Sequence, residues 1–513
     1  MSAQTHLPKA DAPLEGGMLW LAALLLAAGN FIAVLNMTVT NVAVPTISGA
    51  LGISSSQGTW VITSYSVAEA ITVPLTGWLA GRYGSVRVFC ISMALFGVFS
   101  TMAGLSNSLG MLLLARVLQG LSGGPLMPLS QTLLLRIFPR EKAAAATALW
   151  AMTTMVAPVT GPIVGGILCD RASWGWVFFM NVPIALCGGW MAWQLIKRYE
   201  TALLRAPIDK IGMVLLVVWV AALQIMLDEG KDKDWFSSSY IVTLAIVALI
   251  GFAAFMIWEL TERHPVVDLR VFRHRGYSMS LLTLVLAFGA FFGINVLTPL
   301  WLQQFMGYTA TWSGMTVAWG GVLSVFLAPV AAILTEKKDS RMLVFIGVGW
   351  LAMATLWRTF ANTDMTYWQV SIPLLVMGAG MPFFFVPLTS VALGSVEEAE
   401  TNSAAGLMNF LRTLAGAIAT SLVSTAWEDK IKFNYAELAE KLDQSGSTLG
   451  AMLQSGMPMN VIRETLSYLN TSQAVMLATN QLFMLLAAIL GIAALSIWLA
   501  PRATRAVDTS SVH

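Results

Sequence analysis

Charged side chains are scarce where this chain is most apolar, so the few found there single themselves out. Glu69 lies in SYSVAEAITVP, in the middle of an apolar run. Arg116 lies in RVLQG and Arg412 in GLMNFLRTLAG, both inside apolar runs. Ionisable groups within a bilayer are costly to insert, and by default they mark a proton or substrate pathway. A carboxylate can take up and release a proton. An arginine stays charged and acts by pairing or letting go. Glu69 is therefore the candidate proton carrier. Arg116 would favour its charged form when close and release that hold when separated. The plainer alternatives are a structural role for Glu69 beside a buried polar group and an anchor from Arg116 to backbone carbonyls. Asp228, at the end of another run, is a second candidate carboxylate. It is followed by Glu229, Lys231, Asp232, Lys233 and Asp234, so a solvated turn explains it as well. Glu259 is nearer an edge.

A second group is polar without being ionisable. The stretch VLNMTVTNVAVP, residues 34–45, carries Asn36 and Asn41 in an apolar setting. An amide cannot carry a proton at working pH, but it can hydrogen-bond a ligand or a neighbouring helix. Asn295, Gln303 and Gln304 are further candidates for the wall or mouth of a cavity, with Arg412 as its cation. Phe291, Phe292, Met381, Phe383, Phe384 and Phe385 are soft or aromatic side chains of the kind that suits varied apolar ligands. The same residues also serve helix packing and lipid contact.

The elements that must position these groups follow from composition. The chain has 513 residues, 57% hydrophobic and 11% charged, with a mean hydropathy of +0.72. Ordinary soluble chains carry about 25% charged residues. Fourteen apolar segments are expected to be helices long enough to cross a bilayer. They cover about 18–40, 58–79, 87–105, 109–131, 145–168, 177–196, 210–228, 239–260, 279–302, 312–335, 342–360, 368–390, 403–426 and 474–500. Most of the 29 lysines and arginines fall on segments sharing the side of the N-terminus, among them Arg82, Arg136, Arg198, Arg270 and Lys338. That bias predicts both termini on the cytoplasmic side. The acidic segment 395–401, with Glu397, Glu398 and Glu400, breaks it. The polar first sixteen residues argue against a cleaved leader. Cys90, Cys169 and Cys187 are too few and too apolar in setting for a disulfide framework. A formal charge of +2 implies no nucleic-acid partner. The one long outer segment, about 428–472, has apolar residues spaced for short amphipathic helices, at Ile431, Tyr435, Leu438 and Leu442 and at Val461, Leu466 and Leu469. They would either fold back on the protein or on each other, or serve as a docking surface.

Glycine and proline add specificity. Residues 157–166 read APVTGPIVGG, with Pro158, Gly161, Pro162, Gly165 and Gly166 in one span. Small residues allow close helix approach, and proline frees the backbone to bend. GWLAGRYGSVR, residues 77–87, sets Gly77 and Gly84 around a turn with Arg82 and Arg87. These stretches resemble three motifs of the major facilitator superfamily: its cytoplasmic loop motif, its fourth-span arginine motif (at Arg116 to Gly120) and its fifth-span antiporter motif. VLNMTVTNVAVP resembles the first-span motif of the fourteen-span drug:proton antiporters. SQGTWVITSY, WGWVFFMNVPI, LQIMLDEGKDKDWF, HPVVDLRVF, GYTATWSG and GLMNFLRTLAG are similar to the EmrB-like exporters of that family.

The resemblance implies an all-α integral membrane protein of the major facilitator fold. Its N-terminal lobe would be 1–200, its inserted helix pair 201–262 and its C-terminal lobe 263–513. It further implies alternating access, with a proton entering as a lipophilic drug leaves, driven by the proton gradient with no cofactor. The setting would be a bacterial inner membrane. The implied partners are an EmrA-like periplasmic adaptor and a TolC-like outer-membrane channel. The chain departs from the family at two positions. The first-span motif of relatives usually has an aspartate where Asn36 stands, and the loop motif often has one where Gly81 stands. If the proton is still carried, Glu69 on the next span is expected to carry it. An uncoupled facilitator or a proton symporter is the rival on the same fold. A membrane enzyme or haem carrier finds little support, because His6, His264, His274 and His513 all lie outside the spans. Neither HExxH nor a phosphate-binding glycine loop occurs. Relatives move acids, uncouplers, fatty acids and dyes. One carboxylate and two arginines lean this chain toward neutral or anionic lipophiles.

Overall fold

A backbone crossing lipid must satisfy its own hydrogen bonds, and this chain does so with helices. The computed structural model describes residues 14 and 16–501, apart from 54, 140–141, 202, 204–208, 264, 398–399 and 445–457. Among the described residues there is no strand. The helices are α1 (Gly16–Leu51), α2 (Ser55–Tyr83), α3 (Ser85–Gly104), α4 (Leu109–Gly123), α5 (Leu126–Ile137) and α6 (Ala143–Arg171). There follow α7 (Trp176–Phe179), α8 (Asn181–Ile196), α9 (Lys210–Glu229), α10 (Ser239–Thr261), α11 (Arg275–Gln304) and α12 (Ala310–Lys337). The last are α13 (Ser340–Arg358), α14 (Tyr367–Gly378), α15 (Met381–Gly394), α16 (Thr401–Gln444) and α17 (Met459–Ser496).

Every one of the fourteen expected segments falls on helix. Among the described residues, twelve helical stretches are long and apolar enough to cross a membrane. α2 and α6, at 29 residues each, have the length as well. Two expected segments are broken helices. The chain interrupts 109–131 at Gly124-Pro125 and 368–390 at Ala379-Gly380, where Pro125 and Pro382 withdraw a backbone donor.

Local chemistry sets the ends. Asp209 caps α9 by accepting from the Gly212 amide at 2.9 Å, and Thr309 caps α12 through the Trp312 amide at 3.2 Å. Glu200, from the linker after α8, caps α3. Its carboxylate accepts from the amides of Val86 at 2.9 Å and Arg87 at 3.0 Å. Gly84 makes the turn before α3 with φ +95°, and a side chain there would collide with Glu200.

α1 packs on α6, α2 on α4 and α3 on α8; α11 packs on α16 and α17, α13 on α15 and α17, and α12 on α14. These two groups meet along two seams, α6 against α12 and α2 against α16. α9 and α10 pair with each other, and α9 also lies against α2. One end of the bundle holds Arg82, Lys197, Arg273 and Arg341 and is called the basic end below. The acidic segment 395–401 is reconciled there. Arg273 donates to Glu397 at 3.1 Å and to Glu400 at 2.9 Å, and His274 Nε2 lies 2.9 Å from Glu400. Burial opposes ionisation of Glu400, but the His274 and Glu397 hydrogen bonds and the Arg273 charge outweigh it and hold its carboxyl below the usual range.

The segment 428–472 differs from the expectation of separate short helices. α16 and α17 run on past their apolar stretches as one paired extension, up to Gln444 and from Met459. They hold each other through Asn434 Nδ2 to the Ala474 carbonyl, 3.4 Å, and Asn470 Nδ2 to the Tyr435 carbonyl, 3.2 Å. The sequence pattern suggested a break because apolar spacing there is sparse. The two buried asparagines, which supply the pairing, carry no apolar signal.

Candidate transport site

α2 and α4 meet with almost no side chain between them at Gly120 and Gly124. A Cβ on Gly120 would strike the Tyr65 carbonyl, and one on Gly124 would lie 3.1 Å from the Glu69 carbonyl. This contact turns Tyr65 and Glu69, one helical turn apart, toward Arg116 and Gln119. Glu69 is 1% exposed and Arg116 fully buried. The Tyr65 hydroxyl donates to Glu69 Oε1 at 3.3 Å, and Oε2 has no partner among the described residues. Arg116 lies over the Tyr65 ring, 4.3 Å from its centroid, and 5.6 Å from that of Phe178. Its Nε donates to the Val61 carbonyl at 2.9 Å and its NH1 to Gln119 Oε1 at 2.8 Å.

The carbonyl anchor expected as one alternative for Arg116 is therefore present. No ion pair joins Arg116 to Glu69 among the described residues, and Tyr65 stands between them. Gln119 Nε2 passes the network on, to Ser100 Oγ at 3.0 Å and Asn36 Oδ1 at 3.4 Å. Asn181 Nδ2 reaches the same Asn36 oxygen at 3.5 Å. Asn36 thus belongs to the network that contains Glu69. It does not line the cavity described next, which its neighbours Val34 and Met37 do.

That cavity, about 330 Å³, lies along the seam between the two groups of helices. Its wall is largely apolar, with Phe288, Phe291, Phe292, Met377, Met381 and Phe385 from the second group. Arg412 and Asn295 line it, and Asp228 and Lys231 stand at its far end. Arg412 is 4% exposed. Its guanidinium lies 5.0 Å from the Trp150 ring centroid and 5.4 Å from that of Phe288. Among the described residues, NH2 meets the Met127 sulfur, at 3.1 Å, and NH1 has no partner. Asn295 spends its amide on the Phe291 carbonyl at 2.9 Å. Asp228 is open to the cavity and accepts from Gln224 at 3.3 Å, while Lys231 pairs with Glu428 at 2.7 Å. Phe384 packs into the core instead.

At the basic end the α2–α16 seam is shut. A Cβ on Gly77 would meet Ser403 Oγ at 2.7 Å, and one on Gly406 the Val73 carbonyl at 3.3 Å. Asn409 Nδ2 of α16 donates to Gln131 Oε1 of α5 at 3.1 Å, which also joins the two groups. In α6, Gly161 and Gly165 press on the first-span motif. A Cβ on Gly161 would collide with Thr38, and one on Gly165 would lie 3.1 Å from the Val39 carbonyl.

The remaining expected residues are placed as follows. Gln303 and Gln304 are exposed at the end of α11, away from the cavity. Arg82 stacks on Trp78 and Tyr83 at the basic end. Glu259 is buried near that end and accepts from the Val267 amide at 3.2 Å. The side chains of Asn41, Pro158 and Pro162 lie outside the described residues. Sequence reasoning missed Tyr65, Gln119 and Asn181, although the i,i+4 spacing of Tyr65 to Glu69 and the i,i+3 spacing of Arg116 to Gln119 were signals. It also gave no role to Arg358. Arg358 is buried in α13, donating to Thr298 at 2.6 Å and lying 4.0 Å from the Phe483 ring centroid.

Comparison with known proteins agrees with this architecture. Residues 26–420 match the family model described as Major Facilitator Superfamily. The multidrug export protein EmrB of Haemophilus influenzae is 43% identical over 478 residues, covering 92% of this chain and 94% of that protein. EmrB of Escherichia coli K12 is 40% identical, covering 95% and 96%. The fatty acid resistance protein FarB of Neisseria gonorrhoeae is 40% identical, covering 92% and 94%. Among solved structures, the proton:xylose symporter XylE matches with a TM-score of 0.58 at 13% identity, covering 94% and 96%. That likeness speaks for the fold alone. A two-group helical bundle with a seam cavity, matched by its family model over most of its length and by EmrB proteins over nearly all of it, belongs to the major facilitator superfamily, in its EmrB-like branch.

Proposed function

We propose that this chain exports hydrophobic drugs and related toxic lipophiles, driven by protons and by alternating access. The protein is a multi-pass membrane transporter of small molecules, and its EmrB relatives are named as multidrug export proteins. The observation that carries the reading is the apolar seam cavity beside an isolated buried carboxylate. The cavity takes the drug; Glu69 takes the proton. Residues 1–200 and 263–513 act as two rocking lobes and 201–262 as the inserted pair. The shut basic end and the cavity running to Asp228 correspond to a conformation facing the far side.

In this reading Glu69 replaces the first-span aspartate that Asn36 lacks. Tyr65 and Arg116 sense its charge, and Gln119 carries the change to Asn36 on α1, where Gly161 and Gly165 of α6 are packed. Protonation would thereby bias how α1, α2, α4 and α6 stack, and of these α2 and α6 meet the other lobe at the two seams. Asp228 is the second proton candidate, at the mouth. No cofactor is required beyond the proton gradient. The basic end faces the cytoplasm of a bacterial inner membrane, with both termini there. The extension of α16 and α17 faces an EmrA-like adaptor and, through it, a TolC-like channel. Everted vesicles carrying the chain should acidify less on energisation once a lipophilic drug is added. Drug transport with no proton movement would leave the facilitator reading instead.

A further inference from the structure

A second concavity, about 650 Å³, lies on the outer surface of the first group of helices. It is formed by one face of α3, at Arg87, Ile91, Ser92, Leu95 and Phe99, with Leu118 and Leu121 of α4, Pro125 at the break after α4, and Leu79, Arg82 and Tyr83 of α2. Residues recurring at these spacings lie on one side of a helix. The wall is apolar, and Ile91, Leu95 and Leu121 are 57%, 42% and 42% exposed. In a membrane-spanning chain such a surface faces acyl chains rather than water.

Its polar groups are concentrated at one end. Arg82 and Arg87 both stand at the basic end, where the helices leave the apolar zone. Arg87 is half-exposed, and its one ion pair is a long 3.9 Å approach to Glu200. Glu200 is occupied in capping the α3 amides. The Arg82 guanidinium itself lies 5.8 Å and 6.0 Å from the Trp78 and Tyr83 ring centroids, which hold the cation at this end of the groove. From Arg87 to Phe99 the α3 face rises about 18 Å at 1.5 Å per residue. That is close to the depth of one leaflet, half of a hydrocarbon core of ~30 Å.

We propose that this groove is a binding site for an anionic phospholipid. Its phosphate sits between Arg82 and Arg87, and one acyl chain lies along α3 over Ile91, Leu95 and Phe99. The ligand must be anionic and chain-bearing because the groove offers cations at one end and hydrocarbon over the rest. Guanidinium groups suit phosphate oxygens, and basic clusters at a bilayer face select anionic headgroups. The site abuts the turn between α2 and α3 and the linker residue Leu203, so lipid there bridges the first group of helices to the linker.

The test uses the full chain in nanodiscs holding equal phosphatidylglycerol and phosphatidylcholine. Lipids retained after gentle extraction are counted by native mass spectrometry. The native chain should keep phosphatidylglycerol in preference. Arg82→Gln/Arg87→Gln should lose that preference by about tenfold or more, as two interfacial arginines warrant. Leu95→Trp, which fills the groove but keeps both arginines, should lose the retained lipid itself. Unfolding temperatures measured alongside keep folding defects separate. Equal preference in the native chain and the double arginine variant, or undiminished retention in a folded Leu95→Trp, overturns the proposal.

Discussion

The Tyr65 hydroxyl donates to Glu69 Oε1 at 3.3 Å, and the same ring carries the Arg116 guanidinium on its face at 4.3 Å. A buried carboxylate and a buried arginine thus share one tyrosine without touching each other. Direct pairing would bind the carboxylate's charge tightly. The tyrosine spacer keeps Arg116 close enough to respond to that charge and leaves the second carboxylate oxygen free to take a proton.

Arg116→Lys should slow drug-driven proton exchange tenfold or more in vesicles while the chain still folds. Lysine keeps the charge but cannot stack on Tyr65 and serve Val61 and Gln119 together. Undiminished exchange would leave Arg116 a mere anchor.

Asn36 and Glu69 are ends of one chain of contacts, hydrogen-bonded from Asn36 through Gln119 to Arg116 and from Tyr65 to Glu69, with the Arg116 guanidinium stacked on the Tyr65 ring between them. A carboxylate at either end should serve. Asn36→Asp combined with Glu69→Gln is therefore expected to recover proton exchange that Glu69→Gln alone lacks, read by a pH-sensitive dye. Failure of the double variant, if it folds, would separate the two positions.

Arg412 is the cavity's buried cation, and one of its terminal nitrogens has no partner. A charged hydrogen bond is worth about 1.5–3 kcal/mol. Arg412→Gln should therefore raise the Kd of a lipophilic carboxylate roughly tenfold to a hundredfold. A neutral analogue of the same shape should bind as before. Equal effects on both would make Arg412 structural.

Gly161 packs where a methyl group would run into Thr38. Gly161→Val should lower the unfolding temperature, with overpacking costing about 1–3 kcal/mol. Thr38→Ala should restore part of that loss in the Gly161→Val background, because it clears the colliding hydroxyl. Additive losses would place the strain elsewhere.

The sequence displays what depends on composition and spacing. Apolar length located all fourteen helical segments, and scarcity of charge picked out Glu69, Arg116 and Arg412. The glycines at 161 and 165 were legible as close approaches, because only a missing side chain explains such clustering, whereas Gly77, expected at a turn, lies inside α2 against Ser403. Partners across helices were not legible. Tyr65 is an ordinary aromatic until α4 is laid against α2, and Asn181 is more than a hundred residues from Asn36. Asn36 itself reads as a cavity amide from its motif. Only the rotation of α1 turns it inward to Gln119 while Met37 faces the cavity. Arg358 was passed over because it ends an apolar run, where a loop cation and a buried one look alike.

The central claim is that Glu69 carries the coupling proton. It is tested most directly in proteoliposomes with an acid interior, by following proton efflux when a fluorescent lipophilic substrate is added outside. The native chain should exchange protons, and Glu69→Gln should bind the substrate with similar affinity and exchange none. Native-like exchange by Glu69→Gln would contradict the account and move the search to Asp228.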